Sequence, residues 1–235
     1  MKKLIMTDLD CTLLLMDQDA YINKYVNEIA KLFYEHGFDG KEIAKATMKA
    51  STAMILNNGS RTNKEAFEEA FKALVSENAE KALEIFPSVY GERYNSIKEV
   101  TSVNPYAQEI VSLMREKAEY VVVATQPMFP LEAVQKRLSW TNLKLEQFDD
   151  VTIYDTSTFS KPSAGYYKEI MDKFGATPSN TVMIGNDVNE DILPCEKLGV
   201  ETFLVKDGLI NAQNHDISNL RQGTYPQLIE YLKSL

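Results

Sequence analysis

The chain is 235 residues long, and its 44% hydrophobic and 25% charged content is ordinary for a globular protein and excludes disordered and fibrous classes. Lys and Arg number 25 against 34 Asp and Glu, for a net charge of −9 without a basic cluster, so we expect no nucleic-acid partner. No stretch approaches the roughly 18 apolar residues of a membrane span, and the start of the chain is a poor signal peptide, so we expect no membrane partner.

Alternating strand and helix patterns predict the fold class. Short apolar segments rich in β-branched or aromatic residues predict buried strands at 4–7, 120–125, 151–154, 181–184 and 201–205. Helical patterns lie between the later strands, at 130–140, 163–174 and 189–198, the last one closed by Gly199. Such alternation is typical of a parallel sheet covered on both faces, so we expect a doubly wound α/β core.

The segment between the first two strands, roughly 15–100, has a different pattern. Apolar residues recur there at helical spacing, and no convincing strand pattern is present; examples are Tyr21, Tyr25, Ile29, Leu32, Phe67 and Phe71. We therefore expect an α-helical insert at 15–100, within a core made of 1–14 and 101–235. With only Cys11 and Cys195 in the chain, a disulfide framework is not expected, which favours a cytoplasmic location.

Polar residues cluster just after the predicted strands. In open α/β sheets ligands bind beyond the carboxyl ends of the strands, so these residues are candidates for one shared crevice. They are Asp8 and Asp10, Thr125, Lys161, and Asn186 with Asp187. Each element alone has a structural explanation: paired aspartates suit a turn, and Asp187 with Glu190 fits a helix-capping pattern. The order of all these elements along the chain, each after a predicted strand, is what indicates a site.

In that order the residues resemble the motifs of the haloacid dehalogenase-like hydrolases. The matching elements are Asp8-Leu9-Asp10-Cys11-Thr12, then Thr125, then Lys161-Pro162, and finally Gly185-Asn186-Asp187 with Asp191. The resemblance spans essentially the whole chain and is closest to the phosphatase-type branch of the family. It implies a Rossmann-like core and identifies the insert at 15–100 as a helical cap domain.

The resemblance also implies the chemistry. It predicts a phosphatase that hydrolyses a small-molecule phosphate monoester through an aspartyl-phosphate intermediate, with Mg²⁺ offsetting the phosphoryl charge. Asp8 would be the nucleophile, and Asp10 the general acid and base. Thr125 would hold a phosphoryl oxygen, and Lys161 would pair with Asp8 and the phosphoryl group.

Oxygen ligands suit Mg²⁺, and the resemblance places them on Asp8, on the main-chain carbonyl of Asp10 and in the acidic loop. Here the chain departs from the commoner pattern, because Asn186 follows Gly185 where many relatives have an aspartate. Either Asn186 contributes its amide oxygen, or Asp187 is the inner ligand and Asp191 acts through water or hydrogen bonds. We favour Asp187 because its oxygen is anionic.

Cys11 is a second departure, since glycine or asparagine is frequent at this position of the motif. We interpret it as a packed small residue rather than a second nucleophile.

Other readings remain open. A phosphomutase or phosphotransferase would keep the same residues, whereas a dehalogenase of this superfamily does not need the second aspartate, Asp10. A phospho-receiver domain also uses Asp, Thr and Lys at strand ends, but it is about half as long, and a non-catalytic binding protein would not need the full motif set. For a phosphatase we expect a small phosphorylated metabolite as the partner, and a monomer or weak homodimer.

Overall fold

The computed structural model describes residues 1–75 and 78–235. In chain order its strands are β1 (Lys2–Thr7), β2 (Leu14–Met16), β3 (Thr101–Val103), β4 (Ala118–Val123), β5 (Asp150–Val151), β6 (Thr181–Gly185), β7 (Glu201–Val205) and β8 (Gln222–Gly223). The α-helices are α1 (Gln18–Glu35), α2 (Gly40–Ile55), α3 (Asn63–Leu74), α4 (Ala79–Ile85), α5 (Glu92–Asn95), α6 (Ala107–Lys117), α7 (Leu131–Trp140), α8 (Ala164–Lys173), α9 (Leu193–Leu198) and α10 (Tyr225–Ser234). Among these described residues, no helix has both the length and the apolar character needed to cross a bilayer.

A six-stranded sheet in the order β5-β4-β1-β6-β7-β8 forms the core, and every neighbouring pair in it is parallel. Alternate residues of the central strand β1 face opposite sides of this sheet. Ile5 packs into the larger apolar cluster, whereas Leu4 and Met6 pack into the cluster that also contains Tyr166 and Ile170 of α8. Both faces are therefore buried, as the continuous apolar strands predict, and the doubly wound α/β class is confirmed.

The structure differs from the predicted elements in three places. The strand predicted at 151–154 is the two-residue β5, because the backbone leaves the sheet and the N–H of Tyr154 donates to Phe129 O. The helix predicted at 189–198 begins as a π-helical turn, Val188–Ile192, before α9. The short edge strand β8 carries no readable apolar pattern of its own and was not expected.

Two further strands lie at the ends of the helical insert. β2 and β3 pair antiparallel, with Leu14 opposite Val103 and Met16 opposite Thr101. Sequence patterns did not indicate them because each has three residues and its partner lies far away along the chain. Between them the described residues form only helices, turns and loops.

The first two helices of the insert cross at a glycine. Asp39 caps α2 by accepting hydrogen bonds from the N–H groups of Lys41 and Glu42, and Gly40 follows it directly. A side chain on Gly40 would collide with the main-chain oxygen of Ala30 in α1. The two helix backbones therefore approach this closely only because residue 40 lacks a Cβ.

We predict that Gly40→Ala lowers the free energy of unfolding by about 2 kcal/mol, because α1 and α2 must move apart to admit the methyl group. Urea denaturation followed by circular dichroism measures the change. Lys41→Ala is the matched control, since it places alanine at the exposed next residue and is expected to change stability by no more than about 0.5 kcal/mol. Equal effects of the two substitutions would contradict the close approach.

Candidate active site

A buried lysine joins two carboxylates beyond the carboxyl ends of β1 and β6. Asp8 directly follows β1, and its N–H donates to Ile184 O at 2.8 Å, which fixes it beside β6. Lys161 Nζ lies 2.7 Å from both Asp8 Oδ1 and Asp191 Oδ1. The side chain of Lys161 is 2% exposed, so the shared contacts take place away from bulk water. One ammonium group therefore serves two acidic partners.

All of the residues that the sequence singled out border one cavity of about 70 Å³ at this edge of the sheet. They are Asp8, Asp10, Thr125, Lys161, Asn186, Asp187 and Asp191. Such a volume has room for about two water-sized groups. The tertiary structure thus brings together side chains from four separate parts of the sequence.

Burial and neighbouring opposite charges shift the pKa values of Lys161 and Asp8 in opposite directions. Burial alone would lower the pKa of Lys161, but the carboxylates of Asp191 and Asp8 outweigh it and hold that pKa well above its usual value. Burial raises the pKa of the Asp8 carboxyl, while the neighbouring Lys161 ammonium opposes this effect. Lys161 is therefore firmly cationic, and additional positive charge beside Asp8 would favour its ionised form.

Asp191 closes the acidic loop that follows β6, residues 185–191. Asp191 Oδ2 accepts hydrogen bonds from the N–H groups of Asn186 and Asp187, both at 3.0 Å. A side chain on Gly185 would collide with the Asp191 carboxylate, so a glycine is required at the end of β6. Asp187 itself caps the π-helical turn by accepting from the N–H groups of Asn189 and Glu190.

Asn186 ties this loop to two other segments. Its Oδ1 accepts a hydrogen bond from Thr12 Oγ1 at 2.8 Å, and its Nδ2 donates to Gly208 O at 2.8 Å. Asn186 is 2% exposed, and both ends of its side-chain amide have hydrogen-bond partners within the protein. Its position therefore stabilises the loop against the turn that follows Asp10.

The backbone at Cys11 explains why glycine or asparagine is frequent at this position of the motif. Cys11 has φ of +59°, in the left-handed region that glycine and asparagine adopt most readily. The backbone of Gly208 approaches so closely that a side chain there would collide with Cys11 O. The Cys11 side chain is buried, and its Sγ donates to Met16 O at 3.5 Å. This packing agrees with the interpretation of Cys11 as a small buried residue.

Sequence reasoning missed Arg137, which contacts the second aspartate. Arg137 on α7 is fully buried, donates from Nη1 to Asp10 Oδ2 and stacks over Phe129 at 4.8 Å from the ring centroid. A signal was available, because Arg137 shares the core-facing spacing of Val134 and Leu138 in α7. A lone basic residue on an apolar helix face indicates a buried partner, although not which one.

Gln126 is another residue that sequence reasoning missed. Its Oε1 accepts from the N–H of Lys161 at 3.1 Å, and its Nε2 donates to Lys161 O at 3.2 Å. This paired contact fixes the main chain of the lysine that contacts Asp8. Its position directly after Thr125 was the available signal, but nothing in the sequence indicated a contact with Lys161.

The oxygen atoms around the cavity fit a hard divalent cation. Asp8, Asp10 and Asp187 all border it, and Asp10 Oδ1 is buried without a hydrogen-bond partner among residues 1–75 and 78–235. In the same described part of the chain, no three His, Cys, Asp or Glu side chains are grouped closely enough to hold a metal by themselves. Main-chain oxygen and water would complete the shell, which is the usual mode of Mg²⁺ binding.

A doubly wound parallel sheet with an acidic, lysine-bridged crevice beyond its first strand defines the class of Rossmann-like α/β proteins. The family model of haloacid dehalogenase-like hydrolases matches residues 2–199, so the chain belongs to this family and is a hydrolase of it. The family expected from the motif order is therefore confirmed.

Individual relatives match over different extents. Glyceraldehyde 3-phosphate phosphatase of Methanothermobacter thermautotrophicus is 34% identical over 70 residues, and this match covers 30% of the chain and 31% of that protein. A 2-haloacid dehalogenase of Pseudomonas syringae pv. tomato has a TM-score of 0.64 at 15% identity, covering 100% of this chain and 99% of that one. The magnesium-bound hydrolase YfnB of Bacillus subtilis has a TM-score of 0.57 at 16% identity, covering 99% of each chain. At these identities the solved structures show a shared fold.

We predict that Arg137→Met lowers the free energy of unfolding by about 3 kcal/mol, because it removes the buried partner of Asp10. Arg115→Met is the matched control: Arg115 pairs with Asp149 at the surface, where such a pair contributes about 1 kcal/mol or less. Urea titrations of the two variants measure the difference. A loss for Arg137→Met no larger than for the control would contradict a structural role for the buried pair.

We predict that Cys11 and Cys195 resist alkylation in the folded protein. Both thiols are free and buried, and burial raises the pKa of Cys11 to about 12. Iodoacetamide reacts with the thiolate, so labelling at pH 8 should be on the order of a thousandfold slower than that of an exposed cysteine. Mass spectrometry measures the rate, and urea-unfolded protein is the control in which both residues should react. Rapid labelling of Cys11 in the folded state would support a reactive thiol instead.

Proposed function

We propose that this hydrolase is a Mg²⁺-dependent phosphatase that releases phosphate from a small-molecule phosphate monoester. The observation that carries the proposal is the contact of Lys161 Nζ with Asp8 and Asp191, with Asp10 beside them on the same cavity. A phosphate ester presents negative oxygens, so a carboxylate nucleophile needs fixed positive charge next to it. Lys161 provides such charge in a nearly dry environment.

In the first step Asp8 attacks phosphorus and the bond to the leaving alkoxide breaks. Lys161 holds the Asp8 carboxylate in one orientation, and Thr125 borders the same cavity, where its hydroxyl would donate to a phosphoryl oxygen. Mg²⁺, when bound, supplies additional positive charge to the phosphoryl oxygens. The product of this step is an aspartyl-phosphate on Asp8.

Asp10 moves the protons in both steps. Arg137 contacts Asp10 Oδ2, which leaves Oδ1 without a partner in the described part of the chain and available for proton transfer. Asp10 gives a proton to the leaving alkoxide and then takes one from the water that attacks the aspartyl-phosphate. This second attack releases inorganic phosphate and restores the Asp8 carboxylate.

The hydrogen bonds around the acidic loop support one assignment of the metal ligands. Asn186 and Asp191 already use their side-chain oxygens on Thr12, Lys161 and main-chain N–H groups. We assign Asp8, Asp187 and the main-chain carbonyl of Asp10 as the protein ligands of Mg²⁺, with Asn186 and Asp191 holding the loop in place. The magnesium-bound relative YfnB supports the choice of metal.

Two observations favour phosphoryl transfer over dehalogenation. Asp10 is held in the cavity by Arg137, and a carbon-attacking relative does not need this second carboxylate. The relative with the highest sequence identity named above is a phosphatase, although the match covers less than a third of it. The helical segment between β2 and β3 is proposed as the cap that covers the crevice, in a cytoplasmic protein that is a monomer or weak homodimer.

We predict that Asp8→Asn lowers phosphate release from small phosphate esters by about 10³-fold or more, because an amide cannot form the aspartyl-phosphate. EDTA should abolish turnover, and added Mg²⁺ should restore it. The measurement is inorganic phosphate release at saturating ester, with Asn58→Asp, a change in an exposed loop residue of the insert, as a folding and handling control.

Release of phosphate that survives Asp8→Asn, or that ignores EDTA, would contradict the mechanism. Chloride release from 2-chloropropionate is assayed in parallel, and dehalogenation without phosphate release would overturn the proposed function.

A further inference from the structure

A second, larger cavity opens directly beside the proposed phosphoryl site. It has a volume of about 300 Å³ and lies between α1, α2 and the loop after β4. Asp10, Gln18, Gln126 and Glu190 border both cavities, so the two lie side by side. A phosphate ester whose phosphoryl group lies at Asp8 would therefore place its leaving group in the larger cavity.

The larger cavity is lined mainly by aromatic rings and methionines. Tyr25, Tyr90 and Phe129 form one wall, with the Tyr25 and Phe129 ring centroids 5.4 Å apart in an edge-to-face arrangement. Met54 and Met128 line it as well. Aromatic and thioether groups make favourable contacts with flat, polarizable ligands, and methionine adapts to their shape.

Several hydroxyl groups on this lining already have hydrogen-bond partners within the protein. Tyr25 OH and Tyr90 OH lie 2.8 Å apart, so one of these hydroxyls donates to the other. Thr47 Oγ1 donates to Ile43 O at 2.9 Å, and Ser51 Oγ donates to Thr47 O at 3.0 Å. A ligand that offers acceptor groups would therefore gain little from Thr47 and Ser51, whose O–H donors are already used, and an apolar ligand would leave both of them with their partners.

The charges on the lining have one sign. Among the described residues that border the larger cavity there is no Lys, Arg or His, and the only charged side chains are Asp10 and Glu190. A leaving group that carried a carboxylate or a second phosphate would face these acids without a cation to pair with. Asp10 is already paired with Arg137, so the lining disfavours anionic leaving groups mainly because it offers them no cation in exchange for their lost hydration.

We propose that the leaving group is an uncharged alcohol with a single aromatic ring, of about the size of benzyl alcohol, and that the cavity between α1, α2 and Phe129 binds this ring. The reaction in this inference rests on the proposed phosphatase function, whereas the preference of the cavity for an aromatic ring does not. An apolar cavity of about 150 Å³ holds a benzene molecule, so a cavity twice as large admits a ring with its linking carbon and small substituents.

The test compares three esters under identical conditions: benzyl phosphate, 2-phosphoglycolate and phosphocholine. We expect kcat/KM for benzyl phosphate to exceed each of the others by about tenfold or more, since the ring is the part that the cavity accommodates. Equal or faster turnover of 2-phosphoglycolate would overturn the inference. Preferred turnover of phosphocholine would also overturn it, by showing that the aromatic wall selects a cation.

Binding of non-hydrolysable phosphonates separates this inference from the proposed function. Isothermal titration with benzylphosphonate and with phosphonoacetate, in the presence of Mg²⁺, should show about tenfold tighter binding of the benzyl compound. If no ester is hydrolysed but benzylphosphonate is preferred, the proposed function fails and the assignment of the cavity stands. If phosphonoacetate binds equally or more tightly, the assignment fails even when esters are hydrolysed.

A charge inserted into the cavity provides a matched pair of variants. Ser51→Lys places a cation on the lining of α2 and should shift the kcat/KM ratio of benzyl phosphate to 2-phosphoglycolate towards the anion by about tenfold or more. Thr52→Lys adds the same charge to the exposed next residue, outside the cavity, and should leave the ratio unchanged. Equal ratios in the two variants would show that the leaving group does not reach the larger cavity and would overturn the assignment.

Discussion

The contact of one buried ammonium group with two carboxylates is the interaction on which the rest of the crevice depends. Lys161 is shared between Asp8 and Asp191, and none of the three is well solvated. A buried charge without a partner is costly, so the folded chain must bring the end of β1, the loop after β5 and the loop after β6 to the same point. The parallel sheet achieves this because its strands all end at one edge.

The hydrogen bonds around this group fix the surrounding main chain. Gln126 pairs with the main chain of Lys161 on one side, and Asp191 accepts the N–H groups of Asn186 and Asp187 on the other. Gly185 permits that closure because it has no Cβ to strike the Asp191 carboxylate. The acidic loop is therefore held by polar contacts and close packing together, which leaves the Asp8 and Asp187 carboxylates on the lining of the cavity.

The proposed chemistry and the proposed selectivity have separate sources in this molecule. The residues proposed for phosphoryl transfer lie in the segments that follow the strands, at the edge of the sheet where the strand ends meet. The larger cavity draws most of its lining from the helices between β2 and β3, whose apolar residues are shared between packing and the cavity wall. Tyr90 illustrates the overlap, since it is 2% exposed and packs in the insert while part of its ring borders the cavity. Such an arrangement permits a change of leaving group by substitutions in the helices alone.

The sequence by itself determined the fold class, the family and most of the residues around the crevice. Strand-length apolar segments alternate with helical ones, and polar residues after Thr7, Ala124 and Ile184 follow from where parallel strands must end. These are local patterns, so they can be read without a structure. The short strands β2, β3 and β8 were not predicted, because their pairing is non-local and their few residues carry no periodicity.

Only the tertiary structure decided which partners the site residues have. Arg137 and Asp10 are far apart in the chain, and their contact arises because α7 packs its core-facing side against the turn after β1. The left-handed turn at Cys11 likewise packs against Gly208 from a distant loop, where a side chain would collide with Cys11 O. The larger cavity also forms only when α1 and α2 pack across the loop after β4. Residue types along a chain restrict the chemistry that is available, but distances between non-local groups are set by packing.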